Sequence, residues 1–367
     1  MSSVTLENLW KKYGDVEAVC GISLKIADGE LMSLLGPSGC GKSSTLRMVA
    51  GLEEITSGNI YFDEQMVNRM RASDRNVAMA FETYALYPTL RIYENIAFPL
   101  RAAGWSRHDV DKRVREIARI LEMTDLLDRS PAELSGGQQQ LAGVARALAR
   151  EPRVFLMDEP ISHLDSRRRA RMRAYFKRLH IELGYTMIYV THDQEEAMAL
   201  ADRVAVMHEG LIRQVGTPEE IFNHPVDTFV AGFVGDPPIN FLECEYGQEE
   251  GRHVLRHDSI TIEMPPHGDA LAQRGAMAQR VTLGIRPFYI DIGFEESASH
   301  TIPAEVFVVE SLGDMAVVSV DVLETRFQIV TSPDFHARRD QVLWLAFDPA
   351  RTLLFDAETE HVLTNQA

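Results

Sequence analysis

The sequence predicts a chain of two parts: an α/β domain on a parallel sheet with a helical insert, then a small all-β domain. Three observations predict this. Short apolar segments alternate with helical patterns in the first part. Short β-type segments separated by turn residues make up the second part. The net charge of -17 is concentrated after Gly235, where 22 acidic residues accompany 9 basic ones and lysine is absent. This composition break predicts domains at residues 1–235 and 236–367.

The composition excludes several classes of protein. Hydrophobic residues make up 45% and charged residues 25% of the 367 residues, which excludes a mostly disordered chain. No apolar run approaches the roughly 18–20 residues that cross a bilayer. Three scattered cysteines predict neither a disulfide framework nor a zinc site, and we expect the reducing cytoplasm. The acidic second part argues against a nucleic-acid surface, because it would repel phosphates.

The elements of the first part follow from its hydrophobic periodicity. Alternating or short apolar runs predict strands at Val4–Trp10, Ile22–Ile26, Leu31–Leu35, Asn59–Phe62, Val77–Phe81, Val154–Met157 and Thr186–Val190. Helical spacing of apolar residues between 107 and 150 predicts a helical insert at about residues 88–150. A further helix is predicted at Arg167–Leu183. Strand–helix–strand alternation with apolar strands implies a parallel α/β core.

The second part reads as strands throughout. Predicted strands are Arg280–Ile285, Ala304–Glu310, Ala316–Val322, Arg326–Thr331 and Val342–Phe347. Strands of this length with turns between them favour a small antiparallel barrel or sandwich. Two similar short barrels are also compatible with the pattern.

A glycine-rich loop carries the clearest chemistry. The run Gly36-Pro37-Ser38-Gly39-Cys40-Gly41-Lys42-Ser43 follows an apolar strand and opens a helix at Ser44–Ala50. Glycines let backbone N–H groups turn inward around phosphates, and the helix N-terminus adds positive potential. Lys42 then reaches the β- and γ-phosphates, and the Ser43 hydroxyl suits Mg²⁺. The alternative is a chance glycine turn, which the flanking strand and helix argue against.

Two further motifs follow along the chain. Four apolar residues precede Asp158 and Glu159, so a buried strand delivers two carboxylates at its carboxyl end. Asp158 would orient Mg²⁺ through water, and Glu159 would act as general base. Upstream, Ser135 is an N-cap followed by a glycine turn and a helix. That exposed helix N-terminus suits a second anion contact.

The order of GPSGCGKS, LSGGQ, FLMDEP, SHLD and Thr191-His192-Asp193 resembles the ATP-binding cassette (ABC) ATPase family over roughly residues 1–234. The resemblance implies an α/β P-loop ABC ATPase domain that dimerises around two ATP molecules with Mg²⁺, with Asp165 in the dimer-contact loop. It implies that His192 contacts the γ-phosphate and the attacking water beside the base Glu159, and that Mg²⁺ meets Ser43, Glu82 and Asp158. The nucleotide-binding residues would be Tyr13, Gly36, Pro37, Ser38, Gly39, Cys40, Gly41, Lys42, Ser43 and Ser44 of one subunit, and Ser135, Gly136, Gly137 and Gln138 of the other.

The second part resembles the OB-like regulatory domain of carbohydrate-importer ATPases of the maltose and glycerol-3-phosphate type, through Gly284-Ile285-Arg286-Pro287 and Phe347-Asp348-Pro349 among others. This implies an ATPase subunit that powers import of a sugar, polyol or glycerol-phosphate-like solute. The implied partners are a second ATPase subunit, identical or not, two integral membrane permease subunits and, indirectly, a solute-binding protein. The implied location is peripheral, on the cytoplasmic face of the inner membrane.

Other interpretations stay open at this point. A soluble ABC ATPase of repair or translation is one, although neither a second cassette nor a long coiled coil is present. A mainly regulatory ATPase acting through its β domain is another. The stretch Tyr84–Pro88 reads either as core or as part of a groove for a permease helix, and the arginine run at 167–173 as a solvated face. Three positions depart from the family pattern: Glu82, Leu141 and His163, where Gln, Arg and Asn are usual.

Overall fold

The computed structural model describes residues 2–80, 86–162, 164–249, 252–258, 260–263, 280–297 and 299–363. Its contacts divide the chain into two units, Met1–Pro218 and Glu219–Ala367. Each unit has its own secondary structure and hydrophobic core. The boundary expected at Gly235 from composition stays a prediction.

Unit 1 contains two sheets. The first is antiparallel, with strand order β2-β1-β4-β5, and its strands are β1 (Val4–Tyr13), β2 (Val16–Ile26), β4 (Ser57–Phe62) and β5 (Gln65–Met66). Alternate residues of β1 and β2, such as Val4, Leu6 and Ile26, are buried, as expected of strands with one face on a core. The sequence predicts β1, β4 and the second half of β2, but neither β5 nor the separation of these strands into a sheet of their own.

The second sheet has the order β10-β9-β3-β8-β7-β6, with strands β3 (Leu31–Leu35), β6 (Val77–Ala80), β7 (Val154–Asp158), β8 (Met187–Thr191), β9 (Arg203–His208) and β10 (Leu211–Gly216). All neighbours pair in parallel except β9 and β10. Every residue of β3, β7 and β8 is buried, which explains why these strands are mostly apolar. The predicted parallel core is confirmed.

The register of β3, β8 and β7 brings three carboxyl ends to one edge. Leu35 at the end of β3 pairs with Thr191 at the end of β8, and Val190 pairs with Asp158 at the end of β7. The segments that follow these strands carry the glycine loop, Glu159 and His192. Ligands bind at this edge of α/β sheets, so the register assembles a site from three distant sequence regions.

The helices described in unit 1 are α1 (Lys42–Ala50), α2 (Ile92–Ala102), α3 (Arg107–Ile120), α4 (Gly136–Leu148), α5 (Ser166–Leu183) and α6 (Gln194–Leu200). Helices α2 to α4 lie within the predicted insert. Val110, Val114 and Ile117 of α3 are buried, as their spacing predicts. Within the described part of the chain, no helix combines the length and apolarity that spanning a membrane requires.

Unit 2 contains two five-stranded antiparallel sheets, β13-β12-β11-β14-β20 and β15-β19-β16-β17-β18. Its helices are α7 (Pro218–Asn223) and α8 (Thr228–Phe233). Its strands are β11 (Asn240–Glu249), β12 (Arg252–His257), β13 (Ile260–Glu263), β14 (Arg280–Ile285), β15 (Ile290–Gly293), β16 (Ile302–Ser311), β17 (Ala316–Val322), β18 (Thr325–Thr331), β19 (Val342–Phe347) and β20 (Thr352–Asp356). Buried residues of both sheets, including Leu242, Val281, Val318 and Leu343, form one core. The all-β second part is therefore confirmed, and β11, β12, β13, β15 and β20 are strands that the sequence reading missed.

Arg286 holds α7 and α8 within unit 2. Its guanidinium donates hydrogen bonds to the carbonyl oxygens of Phe222 (2.8 Å), Ala231 (3.0 Å) and Val234, and lies 4.1 Å from the ring centroid of Phe222. Desolvation by burial lowers the pKa of Arg286 to about 10. Thr228 N–H also donates to Glu360 O at 3.0 Å. Arg286 therefore ties both helices to unit 2, and the start of α8 is also tied to Glu360 near the carboxyl end of the chain.

We expect a chain shortened to residues 1–218 to fold at least as well as one shortened to 1–235. The longer fragment keeps Val230 and Ala231, which are fully buried in the whole protein, but lacks Arg286 and residues 360–362. It should therefore expose apolar surface and bind more of the dye ANS, with similar melting temperatures for both fragments. An unfolded 1–218 beside a folded 1–235 would show that residues 219–234 belong to the fold of unit 1.

Candidate functional site

The glycine loop between β3 and α1 is sterically restricted to glycine at two positions. A Cβ atom on Gly36 would lie 2.2 Å from the carbonyl oxygen of Met207. Gly41 has φ 100° and its Cβ would lie 2.4 Å from the carbonyl oxygen of Ala18. Any side chain would therefore push the loop out of place, and the backbone keeps the close approach that phosphate groups require.

Lys42 lies inside this loop and is 4% exposed. Its Nζ atom donates to the carbonyl oxygens of Gly36 at 2.7 Å and Pro37 at 2.8 Å. Both partners are neutral, so the ammonium keeps its full positive charge at the centre of the loop. Cys40 is buried beside it, and burial raises the pKa of the Cys40 thiol, which argues against a reactive thiolate.

Ser43 and Asp158 form a pair of oxygen donors at the edge of the sheet. The Ser43 hydroxyl donates to Asp158 Oδ1 at 2.8 Å, although 115 residues separate them. Asp158 is the last residue of β7 and is 9% exposed. A hydroxyl beside a carboxylate is a donor set that suits Mg²⁺.

Glu159 and His192 face each other across the ends of β7 and β8. His192 Nδ1 lies 3.0 Å from Glu159 Oε2. The side chains are 25% and 50% exposed for Glu159 and His192, so water reaches both. Glu159 has φ 45°, an unusual conformation for a non-glycine residue, and its N–H donates to Val190 O at 3.0 Å. The backbone is therefore strained at Glu159 itself, and strain of this kind is common at functional sites.

Tyr13 lies beside the start of α1. Its hydroxyl is 3.2 Å from Ser44 Oγ and donates to the Glu53 carboxylate, while Lys11 Nζ lies 4.7 Å from the ring centroid. Desolvation, together with the hydrogen bond to Glu53, raises the pKa of Tyr13. The residue is 45% exposed, so an aromatic surface is available close to the glycine loop.

The glycine turn before α4 presents an open helix N-terminus. Ser135 N–H donates to Gln138 Oε1 at 3.0 Å, which fixes the turn. A Cβ atom on Gly137 would meet nothing within 4 Å. Ser135, Gly137, Gln138 and Leu141 line a surface pocket of about 340 Å³. Within the described residues, no hydrogen bond joins this turn to the glycine loop, so the structure does not bring the two motifs together in one chain.

A groove lies between β6 and the helices of the insert. It has a volume of about 440 Å³ and is lined by Met79, Tyr87, Phe98 and Arg146 among others. Tyr87 and Phe98 pack with ring centroids 4.9 Å apart and are 42% and 46% exposed. The interpretation of this stretch as core is therefore wrong for Tyr87. Tyr84 lies outside the described residues, as do Glu82 and His163.

The arginine run is not a uniform solvated face. Arg167, Arg168 and Arg171 are exposed, as the sequence predicts. Arg169 instead forms an ion pair with Asp193 at 2.6 Å. Sequence reasoning missed Arg169 and the buried carboxylate Glu196 as residues of the His192 region. The available signal was Asp193 followed three residues later by Glu196, which is typical of a capped helix start; the Asp193 side chain accepts from Glu196 N–H at 3.1 Å.

Comparisons with known proteins agree with this arrangement. Family models match for ABC transporter (residues 19–162), MalK OB fold domain (235–287) and TOBE domain (283–355). Among solved structures, CbiO1 from Clostridium perfringens, part of the ABC transporter complex CbiONQ, is 28% identical with a TM-score of 0.57, over 59% of this chain and 89% of that one.

Curated relatives extend over nearly the whole chain. The trehalose/maltose import ATP-binding protein MalK of Thermococcus litoralis is 43% identical, over 98% of this chain and 99% of that protein. The sn-glycerol-3-phosphate import ATP-binding protein UgpC 1 of Rhizobium johnstonii is 41% identical, over 100% and 97%. The xylose/arabinose import ATP-binding protein XacK of Haloferax volcanii is 42% identical, over 100% and 96%. With such likeness over its full length, and with the phosphate-loop geometry described above, the chain belongs to the ABC transporter family as an ATP-binding subunit with a C-terminal OB and TOBE region.

Proposed function

We propose that this chain hydrolyses ATP to power an importer of a sugar, polyol or glycerol-phosphate-like solute. The observation that carries the chemistry is the set of side chains at the ends of β3, β7 and β8. There Ser43 bonds Asp158, and His192 bonds Glu159, next to the Lys42 ammonium. The relatives are import ATP-binding proteins for sugars and glycerol phosphate, and this supports the transport role.

The glycine loop would bind the phosphates of ATP. Its backbone N–H groups and the N-terminus of α1 attract negative charge, and Lys42 adds a full positive charge held by two carbonyl oxygens. The exposed ring of Tyr13 beside Ser44 would stack on the adenine. The loop residues Gly36, Pro37, Ser38, Gly39, Cys40, Gly41, Lys42, Ser43 and Ser44 would together form the phosphate cradle.

Ser43 and Asp158 would hold Mg²⁺, with Glu82, which lies outside the described residues, as a third oxygen ligand. Ser43 and Asp158 fit Mg²⁺, because the ion prefers oxygen ligands and these residues place a hydroxyl and a carboxylate oxygen 2.8 Å apart. When bound, Mg²⁺ neutralises charge on the phosphates.

Glu159 would take the proton of the attacking water. A carboxylate with partial solvent access and a fixed backbone can orient and deprotonate water placed beside it. His192, through Nδ1, holds the Glu159 carboxylate in place and would itself contact the γ-phosphate. The hydrogen bond between His192 and Glu159 would hold the two side chains in a fixed relative position before the nucleotide binds.

A second ATPase subunit would complete the site. Ser135, Gly136, Gly137 and Gln138 present an open helix N-terminus, and the space beyond Gly137 is empty in the single chain. A turn with no anion in its own chain suits the γ-phosphate of ATP held by a partner subunit. ATP would thus hold two subunits together, and hydrolysis would release them.

The groove lined by Tyr87 and Phe98 would receive a cytoplasmic helix of one membrane permease subunit, and the same groove of the second ATPase subunit would receive that of the other permease. Its exposed aromatic rings offer apolar area to an amphipathic helix, and Arg146 lies 5.5 Å from the Tyr87 ring centroid. Docking there would place the chain on the cytoplasmic face of the membrane. A solute-binding protein would act on the permeases and select the solute.

Replacing the base should separate binding from cleavage. We expect Glu159→Gln to keep ATP affinity and lower the ATPase rate by about 10²–10⁴-fold, because the amide cannot accept the proton. It should also accumulate ATP-bound dimers on gel filtration. Lys42→Ala is the matched contrast and should lose nucleotide binding itself. Near-normal hydrolysis by Glu159→Gln would contradict the assignment of the base.

Charging the groove should uncouple the chain from its permeases. We expect Tyr87→Asp to abolish co-purification with the membrane subunits, because docking would desolvate the new carboxylate. Trp105→Asp is the control, since Trp105 is 37% exposed on the same insert but does not line the groove. Both variants should keep the parental melting temperature and soluble ATPase rate. Loss of folding in Tyr87→Asp alone would return the residue to the core interpretation.

The departure at Glu82 gives a further test. By resemblance to the family, Glu82 would place a carboxylate near the γ-phosphate and Glu159 where Gln is usual, and we propose that its negative charge slows basal cleavage. Glu82→Gln should therefore raise the ATPase rate of the isolated protein, most strongly at pH values where Glu82 is ionised. Rates and Mg²⁺ dependence measured from about pH 6 to 9 check this. Identical pH and Mg²⁺ profiles for Glu82→Gln and the parent protein would contradict this proposal.

A further inference from the structure

A buried polar cluster lies beneath His192. Glu196 is 1% exposed, and its Oε2 atom accepts hydrogen bonds from Tyr189 Oη and Thr191 Oγ1, both at 2.8 Å. Thr191 Oγ1 in turn accepts from Asp193 N–H at 3.0 Å. The residues on either side of His192 are therefore both fixed through Glu196. Desolvation raises the pKa of the Glu196 carboxyl, although the hydrogen bonds from the two hydroxyls act in the opposite direction.

Arg169 on α5 connects this cluster to another loop. Its Nη1 atom pairs with Asp193 Oδ2 at 2.6 Å, and its Nη2 atom donates to Leu164 O at 3.3 Å. Its Nε atom lies 3.9 Å from Glu196 Oε1, and neither of these two buried atoms has a hydrogen-bond partner among the described residues. Leu164 immediately precedes Asp165 in the SHLD segment, which by family resemblance meets the second subunit. One guanidinium therefore spans the SHLD segment and the His192 turn.

We propose that Arg169 is a positioning residue that transmits the state of the SHLD segment to His192 within the same chain. The proposal rests on the proposed ATPase function and deepens it. The planar guanidinium offers donors in a fixed fork, so a shift of the Leu164 carbonyl moves Asp193 with it. Asp193 caps α6 and adjoins His192, so the movement reaches the residue that holds Glu159.

The alternative is that Arg169 only clamps α5 to α6. The chain supplies a matched control, because Arg173 on the same helix pairs with Glu195 of α6 at 3.0 Å. Within the described residues, the two side chains of that ion pair form no hydrogen bond or ion pair with the SHLD segment or with residues 191–193. Arg173→Ala therefore removes an arginine–carboxylate ion pair between α5 and α6 that does not join the SHLD segment to the His192 turn.

The experiment measures ATP affinity, kcat, KM and melting temperature for full-length Arg169→Lys, Arg169→Ala and Arg173→Ala. Lysine keeps a charge beside Asp193 but has one nitrogen and cannot hold Asp193 and Leu164 O in the same fork. We expect Arg169→Lys to keep its melting temperature and ATP affinity while kcat falls about 10-fold. The kcat of Arg169→Ala should fall further, and the kcat of Arg173→Ala should stay within about twofold of the parental value.

A second measurement separates transmission from simple misfolding. In the Glu159→Gln background, Arg169→Lys should still form ATP-bound dimers on gel filtration. The two subunits would still close around ATP, but the change at the SHLD segment would no longer move His192. A kcat for Arg169→Lys equal to that of Arg173→Ala overturns the proposal, as does loss of ATP-bound dimers. If the parent protein itself fails to hydrolyse ATP, the proposed function fails instead, so the two failures are distinguishable.

Discussion

The parallel register of β3, β8 and β7 is the constraint on which the site depends. It pairs Leu35 with Thr191 and Val190 with Asp158, so the three strands end side by side, although β7 and β8 follow β3 by more than a hundred residues in sequence. A slip of one residue would reverse which side chains face each side of the sheet and would displace the segments that follow these strands. The hydrogen bonds from Ser43 to Asp158 and from His192 to Glu159 are consequences of this register.

Around that edge, charged side chains are held before any ligand arrives. Lys42 is fixed by two carbonyl oxygens, and Asp193 is fixed by Arg169. Burying charges costs free energy unless they are paired or hydrogen-bonded, so each charge brings its own set of partners. This arrangement reduces the reorganisation that the reaction requires, because the charged side chains are already oriented when the transition state forms.

Much of this organisation could be predicted from the sequence, for identifiable reasons. The buried strands β3, β7 and β8 are mostly apolar runs, and the glycine loop is a local motif whose context is visible on both sides. The separate antiparallel sheet could not be predicted, because β1 pairs not only with its neighbour β2 but also with β4, across the intervening β3 and α1. Strands β11 to β13 were also missed, although residues 242–246 of β11 alternate between buried apolar and exposed charged side chains, the period of two that predicts a strand.

Arg169 illustrates a limit of another kind. It stands in a run with Arg167 and Arg168, and sequence alone does not say which member of a charged run turns toward a neighbouring helix. Only the packing of α5 against α6 distinguishes it. The open space beyond Gly137 is likewise a property of the fold, and it carries the central claim of this account: the nucleotide site is completed by a second subunit.

The most direct test is retention of radiolabelled ATP by mixed dimers in the Glu159→Gln background. One chain carries Lys42→Ala and the other Gly137→Asp, an acid that α4 tolerates at its N-terminus but that would repel phosphate. The account predicts that neither variant alone retains ATP after gel filtration, whereas their mixture does, because the intact glycine loop of one chain meets the intact glycine turn of the other. Parental retention of ATP by Gly137→Asp alone would contradict it.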